Sequence, residues 1–188
     1  HYPDCPTSLM VESAKAKSQH IDLIVNCSSS PYTIHKQEQR RALFSAQAKQ
    51  YNTPIAYTNH VGIQNNGKNI CIYDGCSALY DVNGSVVEEV PAFENTVRPT
   101  LLKDTVWQPQ PTVSLQTEST PTYIPTLFKA LQYGIRQFLA QTGIKNIVIG
   151  ASGGIDSALN AALYSTVLPP ENLYLVNMPS RYNSDMTK

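Results

Sequence analysis

The sequence has few charged residues, no excess of either sign and no long apolar runs. Charged residues make up 15% of its 188 residues, and 14 Lys and Arg residues balance 14 Asp and Glu residues. Because no cationic surplus is present to displace counterions from a phosphate backbone, we expect no nucleic-acid partner. The apolar runs extend over only a few residues, whereas a membrane-spanning helix needs roughly 20, so we expect no membrane association. A basic and then apolar leader is also missing, which gives export no support.

Cysteine is scarce and irregularly spaced. The four cysteines are Cys5, Cys27, Cys71 and Cys76. An even number permits two disulfides, but a chain of this length does not need them. Cys27 and Cys71 lie in apolar, strand-like runs, where buried free thiols are expected. Only Cys71 and Cys76 approach the spacing of zinc ligands, and no histidine is near, so we predict reduced thiols and a cytoplasmic location.

The first 90 residues contain a mixed α/β pattern. Helices are predicted over 7–19 and 33–50, and strands over 20–26, 55–57, 69–73, 77–80 and 85–87. The strand over 20–26 is β-branched and apolar, so we expect it to be buried. Asn83-Gly84 favours the two positive φ angles of a type I′ turn, which predicts a hairpin joining the last two strands.

The composition changes between Pro91 and Pro125. Six of the thirteen prolines fall in this stretch, separated mainly by Thr, Gln and Ser. Proline fixes φ and removes an amide donor, so such a stretch is a poor core and a good connector. We therefore predict one domain portion over 1–92, a linker over 93–121 and a second domain portion over 122–188.

The second portion has the pattern of a strand–turn–helix–strand unit. Apolar residues from Ile124 to Leu139 recur at three- and four-residue steps, which predicts an amphipathic helix with Gly143 at its C′ position. A buried strand is predicted over 146–149, a helix over 155–167 and a second strand over 173–178. Two strands joined through a helix are expected to pair in parallel.

A glycine turn between this strand and helix carries the strongest chemical signal. The turn and its flanks comprise Gly150, Ala151, Ser152, Gly153, Gly154, Ile155, Asp156 and Ser157. A helix N-terminus offers free N–H groups and the positive end of the helix dipole, and glycines let an anion approach them. The serines add hydroxyl donors, and Asp156 adds a carboxylate suited to Mg²⁺ beside phosphates. The alternative is a plain connection whose glycines serve tight packing.

These residues also carry a family resemblance. The segment from Ser152 to Ser157 resembles the SGG-x-DS loop of the PP-loop ATP pyrophosphatases, and Met178 to Ser184 resembles the MPSRY-x-S segment of glutamine-dependent NAD synthetases. Four segments resemble motifs of nitrilase-type amidases and occur in the usual order of those motifs: His1-Tyr2-Pro3, Asn26 to Pro31, Val61 to Gln64 and Tyr73-Asp74-Gly75. The implied fold class is α/β, with the rear part of a nitrilase-like α/β sandwich followed by the start of a parallel, Rossmann-like PP-loop domain.

The resemblance implies a ligase that amidates deamido-NAD to NAD. ATP and Mg²⁺ would adenylate deamido-NAD, and ammonia released from L-glutamine would displace AMP. Residues 150–157 would then bind ATP and its pyrophosphate, with Asp156 as a metal ligand, while Ser30 and Lys36 would bind glutamine. Ser30 could instead cap the following helix, and Lys36 could be solvated surface. A homo-oligomer is also expected.

The resemblance places no catalytic residue of the glutaminase in this chain. The nucleophilic Cys and the Glu and Lys that assist it are expected upstream of His1, and Cys5 falls on the wrong side of Tyr2-Pro3 to replace the nucleophile. His1 is not a methionine and Lys188 directly follows a polar loop, so we expect that both ends of the chain are cut and that the chain alone completes no reaction. Two alternatives stay open: another glutamine-fed PP-loop ligase, such as a GMP-synthetase relative, and a nucleotide-binding chain without turnover.

Overall fold

The computed structural model describes residues 6–17, 19–108 and 123–179. The chain divides into two compact units, His1–Tyr123 and Ile124–Lys188. The first motif of the sequence, His1-Tyr2-Pro3, lies outside the described residues, as do Cys5 and the end of the Met178–Ser184 motif from Ser180 onward. In the described part of the chain, no helix is both long and apolar enough to cross a membrane.

The first unit contains short helices and strands in a mixed order. In chain order they are α1 (Pro6–Ala16), β1 (Ile24–Ser28), α2 (Lys36–Tyr51), β2 (Ile55–Asn59), β3 (Val61–Asn65), β4 (Ile70–Asp74), β5 (Ala78–Tyr80), β6 (Val86–Glu89), β7 (Leu101–Lys103) and β8 (Val106–Gln108). Its main sheet has the order β1-β2-β5-β6, in which β1 and β2 are parallel and the other pairs antiparallel. The α/β class predicted from the sequence is confirmed.

The core of this unit joins α2 to the main sheet. Phe44 on α2 places its ring 4.4 Å from that of Tyr57 and 5.8 Å from that of Tyr80, measured between centroids. Ala48 and Ile55 have no exposed surface. Because aromatic rings bury large apolar areas, these contacts fix the helix against β2 and β5.

Strand β1 lies at one edge of the sheet and is not buried, contrary to the prediction for 20–26. Val25 is 59% exposed, and Cys27 is exposed as well. The residues of β1 alternate between half-buried and exposed. An apolar, β-branched run predicts a strand, but burial of its second face depends on a further layer, which the described residues do not place there. Of the other thiols, Cys71 is partly buried and Cys76 is buried.

The hairpin predicted around Asn83-Gly84 is confirmed, but the type I′ turn is wrong. Only Gly84 has a positive φ, of 74°, and Asn83 does not. The Asp81 carboxylate accepts hydrogen bonds from the amides of Asn83 and Ser85, at 2.9 and 2.7 Å, and Gly84 N donates to Asp81 O. The Asp81 side chain therefore stabilises a turn in which only Gly84 is left-handed. This turn replaces the type I′ turn, which would need a positive φ at Asn83 as well.

Residues 93–108 are folded against the first unit rather than forming a plain connector. Strands β7 and β8 pair as an antiparallel hairpin, and Trp107 is 6% exposed. The indole Nε1 of Trp107 donates a hydrogen bond of 2.9 Å to the carbonyl oxygen of Tyr80. The low periodicity predicted a linker from residue 93, but burial of the Trp107 indole holds residues 101–108 against the first unit. Residues 109–121 of the predicted linker lie outside the described part.

The second unit has the predicted order of elements. It contains α3 (Tyr123–Thr142), β9 (Ile147–Gly150), α4 (Ile155–Ser165), a short 3₁₀ turn (Pro170–Asn172) and β10 (Leu173–Val176). Strands β9 and β10 pair in parallel, with Ile147 opposite Leu173 and Gly150 opposite Val176. Gly143 follows α3 with a φ of 70°, as predicted for its C′ position. The buried character predicted for β9 is wrong on one face, because Val148 is 67% exposed.

Candidate functional site

The glycine turn joins β9 to the N-terminus of α4. The amide of Ala151 donates to Val176 O at 2.9 Å, so the parallel sheet fixes the start of the turn. Gly153 has a φ of 80°, a left-handed conformation that side chains rarely adopt. Gly154 is extended, with φ −85° and ψ 161°, and is the N-cap residue of α4. The sequence prediction of a strand, a glycine turn and a helix in succession is confirmed.

Gly154 is not required by its own backbone conformation. A Cβ added there would lie 3.5 Å from Ser152 Oγ, which is ordinary van der Waals contact, and its φ suits any residue. A Cβ at Gly150 would similarly lie 3.8 Å from Met178 Cε. The positive φ therefore accounts for a glycine at 153, whereas neither strain nor a close contact within the described residues requires one at 154.

The N-terminus of α4 has no side-chain cap. Ala158 N donates to Gly154 O at 3.2 Å, and Gly154 N makes a long contact of 3.5 Å with Ser152 Oγ. The first amides of any α-helix have no intrahelical acceptor. Within the described residues, the amides of Ile155, Asp156 and Ser157 therefore remain available to an anion. Residues 152–156 are exposed, so solvent or a ligand reaches them.

The two serines of the turn lie side by side. Ser152 Oγ is 3.3 Å from Ser157 Oγ, and the hydroxyl of Ser157 donates to Gly154 O at 2.9 Å. The fold thus brings together two hydroxyls that are five residues apart in the chain. Because Ser157 already donates its hydrogen to Gly154 O, Ser152 Oγ and the free amides are the groups that can donate to phosphate oxygens.

Asp156 is an exposed carboxylate in the first turn of α4. The described residues contain no group of three His, Cys, Asp or Glu side chains arranged to hold a metal. Mg²⁺ commonly binds through one or two carboxylates together with substrate phosphates. A single carboxylate beside a turn with free amides fits that chemistry, and it does not fit a metal site built from protein ligands alone.

In the first unit, Ser30 follows β1 and belongs to a buried polar network. Its Oγ accepts hydrogen bonds from Arg40 Nε at 3.2 Å and Nη2 at 3.1 Å. Arg40 Nη1 also donates to both carboxylate oxygens of Asp74, at 2.9 and 2.8 Å. Asn59 Oδ1 accepts from Ser30 N at 2.8 Å, and Asn59 Nδ2 donates to Ser30 O at 3.1 Å.

Ser30 does not cap the following helix, so that alternative is wrong. Helix α2 begins at Lys36, and its N-cap residue is His35, which has a φ of 63° and no side-chain cap. Lys36 is half-buried, and its amide donates to Thr33 O at 3.0 Å. No ion pair in the described part of the chain involves the Lys36 ammonium group. Both residues lie in the first unit, at the carboxyl end of β1 and the start of α2.

The hydroxyl of Tyr57 lies beside the same network. Burial raises the pKa of Tyr57 to about 12, and Arg40, Asp74 and Ser30 are close enough to affect that pKa. Its buried oxygen makes no hydrogen bond of good geometry within the described residues. The phenol therefore stays protonated at neutral pH and adds a neutral group next to Ser30.

Two motifs singled out in the sequence meet in the β3–β4 hairpin. Val61 is opposite Asp74, and Gly62 is opposite Tyr73. Tyr73 Oη lies 3.3 Å from Gln64 Oε1. This pairing places Asp74 at the end of β4, where Arg40 reaches it. Sequence reasoning missed Arg40 because it is one of several cations on a polar helix, and only a buried carboxylate partner distinguishes it.

Comparison with known proteins connects the two units to one family. Residues 127–188 match the NAD synthase family. The chain is 34% identical over 167 residues to the glutamine-dependent NAD(+) synthetase of Synechocystis sp., covering 89% of this chain and 29% of that protein. It is 33% identical over 157 residues to the Rhodobacter capsulatus protein of the same name, covering 82% and 27%. The chain thus spans about three tenths of the length of these relatives.

Two solved structures of proteins with this name are also similar to the chain. The glutamine-dependent NAD+ synthetase from Acinetobacter baumannii, in complex with ADP, superposes with a TM-score of 0.79 at 27% identity, covering 97% of this chain and 34% of that one. The enzyme of this name from Cytophaga hutchinsonii superposes with a TM-score of 0.63 at 15% identity, covering 89% and 33%, which supports the fold alone.

Proposed function

The chain is similar in sequence and fold to glutamine-dependent NAD(+) synthetases over about a third of their length. We therefore propose that it forms part of such a ligase. The reaction is the ATP-dependent amidation of deamido-NAD to NAD, with ammonia taken from L-glutamine and with AMP and pyrophosphate released. The similarity extends over both units, which favours this ligase over another PP-loop enzyme. A homo-oligomer and a cytoplasmic location remain predictions.

The observation that carries the proposal is the uncapped N-terminus of α4. Its free amides follow a glycine turn fixed by a parallel sheet, and two hydroxyls 3.3 Å apart flank it. Such a turn holds a polyphosphate through backbone N–H groups and the helix dipole. In the ligase reaction, the same donors stabilise the charge that develops on the departing pyrophosphate. The ADP complex of the Acinetobacter relative supports nucleotide binding.

Asp156 is proposed to hold Mg²⁺ together with the phosphates of ATP. When bound, the ion would neutralise phosphate charge as the α-phosphorus is attacked. The carboxylate is exposed and lies in the first helical turn, beside the amides that bind the phosphates. It therefore contributes a hard oxygen ligand without crowding the turn.

Ser30 and Lys36 are proposed to hold glutamine for the ammonia-releasing half of the reaction. Glutamine presents a carboxylate, an ammonium group and a carboxamide, and a hydroxyl with a cation suits such a ligand. Ser30 is fixed by Arg40 and Asn59, and Lys36 has no carboxylate partner in the described residues. The groups that break the amide bond are expected in the part of the enzyme upstream of His1.

The role of the glycine turn is tested by Asp156→Ala in the intact enzyme. We expect loss of ATP-dependent pyrophosphate release and of NAD synthesis, while glutamine hydrolysis stays measurable. Glu171→Ala, which removes another carboxylate from the same unit, is the matched control and should retain activity. NAD synthesis at the wild-type rate by Asp156→Ala would remove the proposed metal role.

The glutamine role is tested separately by Ser30→Ala. We expect the KM for glutamine to rise while synthesis with free ammonia is spared, because ammonia bypasses the glutamine site. Ser29→Ala changes an exposed neighbouring serine and serves as the control. An equal loss with both nitrogen donors would show that Ser30 does not contact glutamine.

A further inference from the structure

The guanidinium group of Arg40 links the loop that contains Ser30 with Asp74, the last residue of β4. Nη2 donates to the carbonyl oxygens of Ser30, at 2.7 Å, and of Pro31, at 3.1 Å. Nη1 faces the opposite way and donates to both oxygens of Asp74. The Arg40 side chain is 5% exposed and that of Asp74 is 3% exposed, so solvent barely reaches the pair. One planar group thus fixes two loop carbonyls relative to a buried carboxylate.

These contacts also determine which hydrogen bonds Ser30 can still make. A hydroxyl offers one hydrogen and two lone pairs. Arg40 Nε donates to Ser30 Oγ at 3.2 Å, and Nη2, whose two hydrogens serve three acceptors, shares one of them with Ser30 Oγ at 3.1 Å, so both contacts direct hydrogens at the lone pairs of Oγ. Within the described residues the hydrogen of this hydroxyl makes no hydrogen bond of good geometry, the nearby Tyr57 Oη included, so it is left for a separate acceptor. Asn59 holds the backbone of Ser30 on both sides, so the loop cannot turn away from this arrangement.

We propose that Arg40, oriented by Asp74, is a positioning residue that makes Ser30 a hydrogen-bond donor toward glutamine. Ser30 would then contact an oxygen of glutamine, in its carboxylate or carboxamide group, and not its ammonium group. This inference rests on the proposed function of Ser30 and adds to it the group that sets the direction of the contact. Arg40 itself does not touch the substrate in this proposal.

Arg41 provides a matched comparison on the same helix. It also makes a two-pronged ion pair, with Glu89 at 2.7 Å for each contact, but its side chain is 45% exposed. The pair does not involve the Ser30 loop. Replacement of either arginine by lysine keeps the charge and removes the planar fork, which a single ammonium group cannot imitate. The two substitutions therefore differ mainly in their effect on Ser30.

The first test measures steady-state kinetics of Arg40→Lys in the intact enzyme with each nitrogen donor. We expect the KM for glutamine to rise about tenfold, because Ser30 loses its charge-assisted contacts, while ammonia-dependent synthesis stays within about twofold of wild type. Arg41→Lys should change neither. If Arg40→Lys leaves the glutamine KM unchanged, or lowers both activities equally, the inference is overturned.

A double-mutant cycle separates positioning from general support of the fold. If Arg40 acts through Ser30, then Ser30→Ala combined with Arg40→Lys should lose no more glutamine kcat/KM than Ser30→Ala alone. Effects that multiply would show that Arg40 acts independently of Ser30, which contradicts the inference. If Ser30→Ala alone leaves the glutamine KM unchanged, the proposed contact between Ser30 and glutamine is wrong, and the role of Arg40 falls with it. If the wild-type enzyme makes no NAD at all, the proposed function itself is wrong.

Asp74→Asn keeps the test available if Arg40→Lys does not fold, as judged by circular dichroism. Asparagine retains an acceptor oxygen of the same shape but removes the charge that orients Arg40. We expect a rise of about threefold in the glutamine KM with ammonia-dependent synthesis unchanged. A glutamine KM equal to that of wild type in this folded variant would overturn the role of the pair.

Discussion

Arg40 and Arg41 are neighbours in the chain, yet α2 directs one guanidinium group into the protein and the other to its surface. Arg40 pairs with Asp74 in a buried site, whereas Arg41 pairs with Glu89 where solvent reaches it. Successive helical residues lie about 100° apart around the axis, so two identical side chains enter different environments. The energetic value of an ion pair depends on that environment more than on its geometry.

The two ion pairs should therefore differ in their contribution to stability. Asp74→Ala leaves the buried Arg40 cation without an opposite charge, and we expect a loss of about 3–5 kcal/mol in the free energy of unfolding. Glu89→Ala removes the partner of Arg41, a half-exposed cation that solvent screens, and should cost about 1 kcal/mol or less. Urea unfolding of both variants measures the difference. Equal losses would contradict the buried role of Arg40.

Trp107 should report the folding of the β7–β8 hairpin onto the first unit. It is the single tryptophan of the sequence and is buried, so its fluorescence should be blue-shifted and should move to longer wavelength on unfolding. Trp107→Ala removes a large buried side chain, and we expect a cost of about 3–5 kcal/mol. Emission typical of a solvated indole in the native protein would instead support a plain linker over 93–108.

Gly153 and Gly154 should respond differently to substitution by alanine. Gly153 has a positive φ, so Gly153→Ala should lower stability by about 1–2 kcal/mol. Gly154→Ala meets neither strain nor a close contact within the described residues and should leave stability within about 0.5 kcal/mol.

The loss in Gly154→Ala should appear in nucleotide binding. Its Cβ would lie beside the free amides of α4 and obstruct the approach of a phosphate, so ATP binding measured by calorimetry should weaken in the intact enzyme. Unchanged ATP affinity, together with unchanged stability, would mean that the second glycine has no part in the site.

Alkaline pH should destabilise the first unit through Tyr57. Its folded-state pKa is raised to about 12 from an ordinary value of 10.0, chiefly by burial. Between these values the unfolded chain loses the phenolic proton and the folded chain keeps it, so stability falls as pH rises from about 10 to 12. Burial also raises the pKa of Tyr80, so this residue adds to the same loss of stability at alkaline pH.

Tyr57→Phe isolates this effect. The phenol oxygen makes no well-formed hydrogen bond in the described residues, so its removal should cost little at pH 7. Melting temperatures recorded between pH 7 and pH 11.5 should then fall less steeply for the variant than for the wild type. Parallel curves would show that Tyr57 does not titrate abnormally.

The sequence indicated the elements of the second unit because their signals are local. Apolar residues at three- and four-residue steps define α3, Gly143 ends it, and a short apolar run before a glycine turn defines β9. The free amides at the start of α4, on which the proposed anion site rests, follow from the same local pattern, since they depend on the chain direction and on the absence of a cap.

Sequence patterns did not predict burial or chain path where contacts between distant residues decide them. The exposure of Val25 and Cys27 depends on whether another layer covers β1, and the path of residues 93–108 depends on one indole reaching the Tyr80 carbonyl. Composition and periodicity carry no information about these pairings.

The sequence by itself determined the order of helices and strands in the second unit and the glycine turn before α4, because each rests on residues adjacent in the chain. Only the tertiary structure decided that Arg40, and not Arg41, meets Asp74 and holds Ser30 across distances of 34 and 10 residues. The physical reason is that burial turns an ordinary surface cation into a fixed hydrogen-bond donor, and burial is a property of the packed molecule.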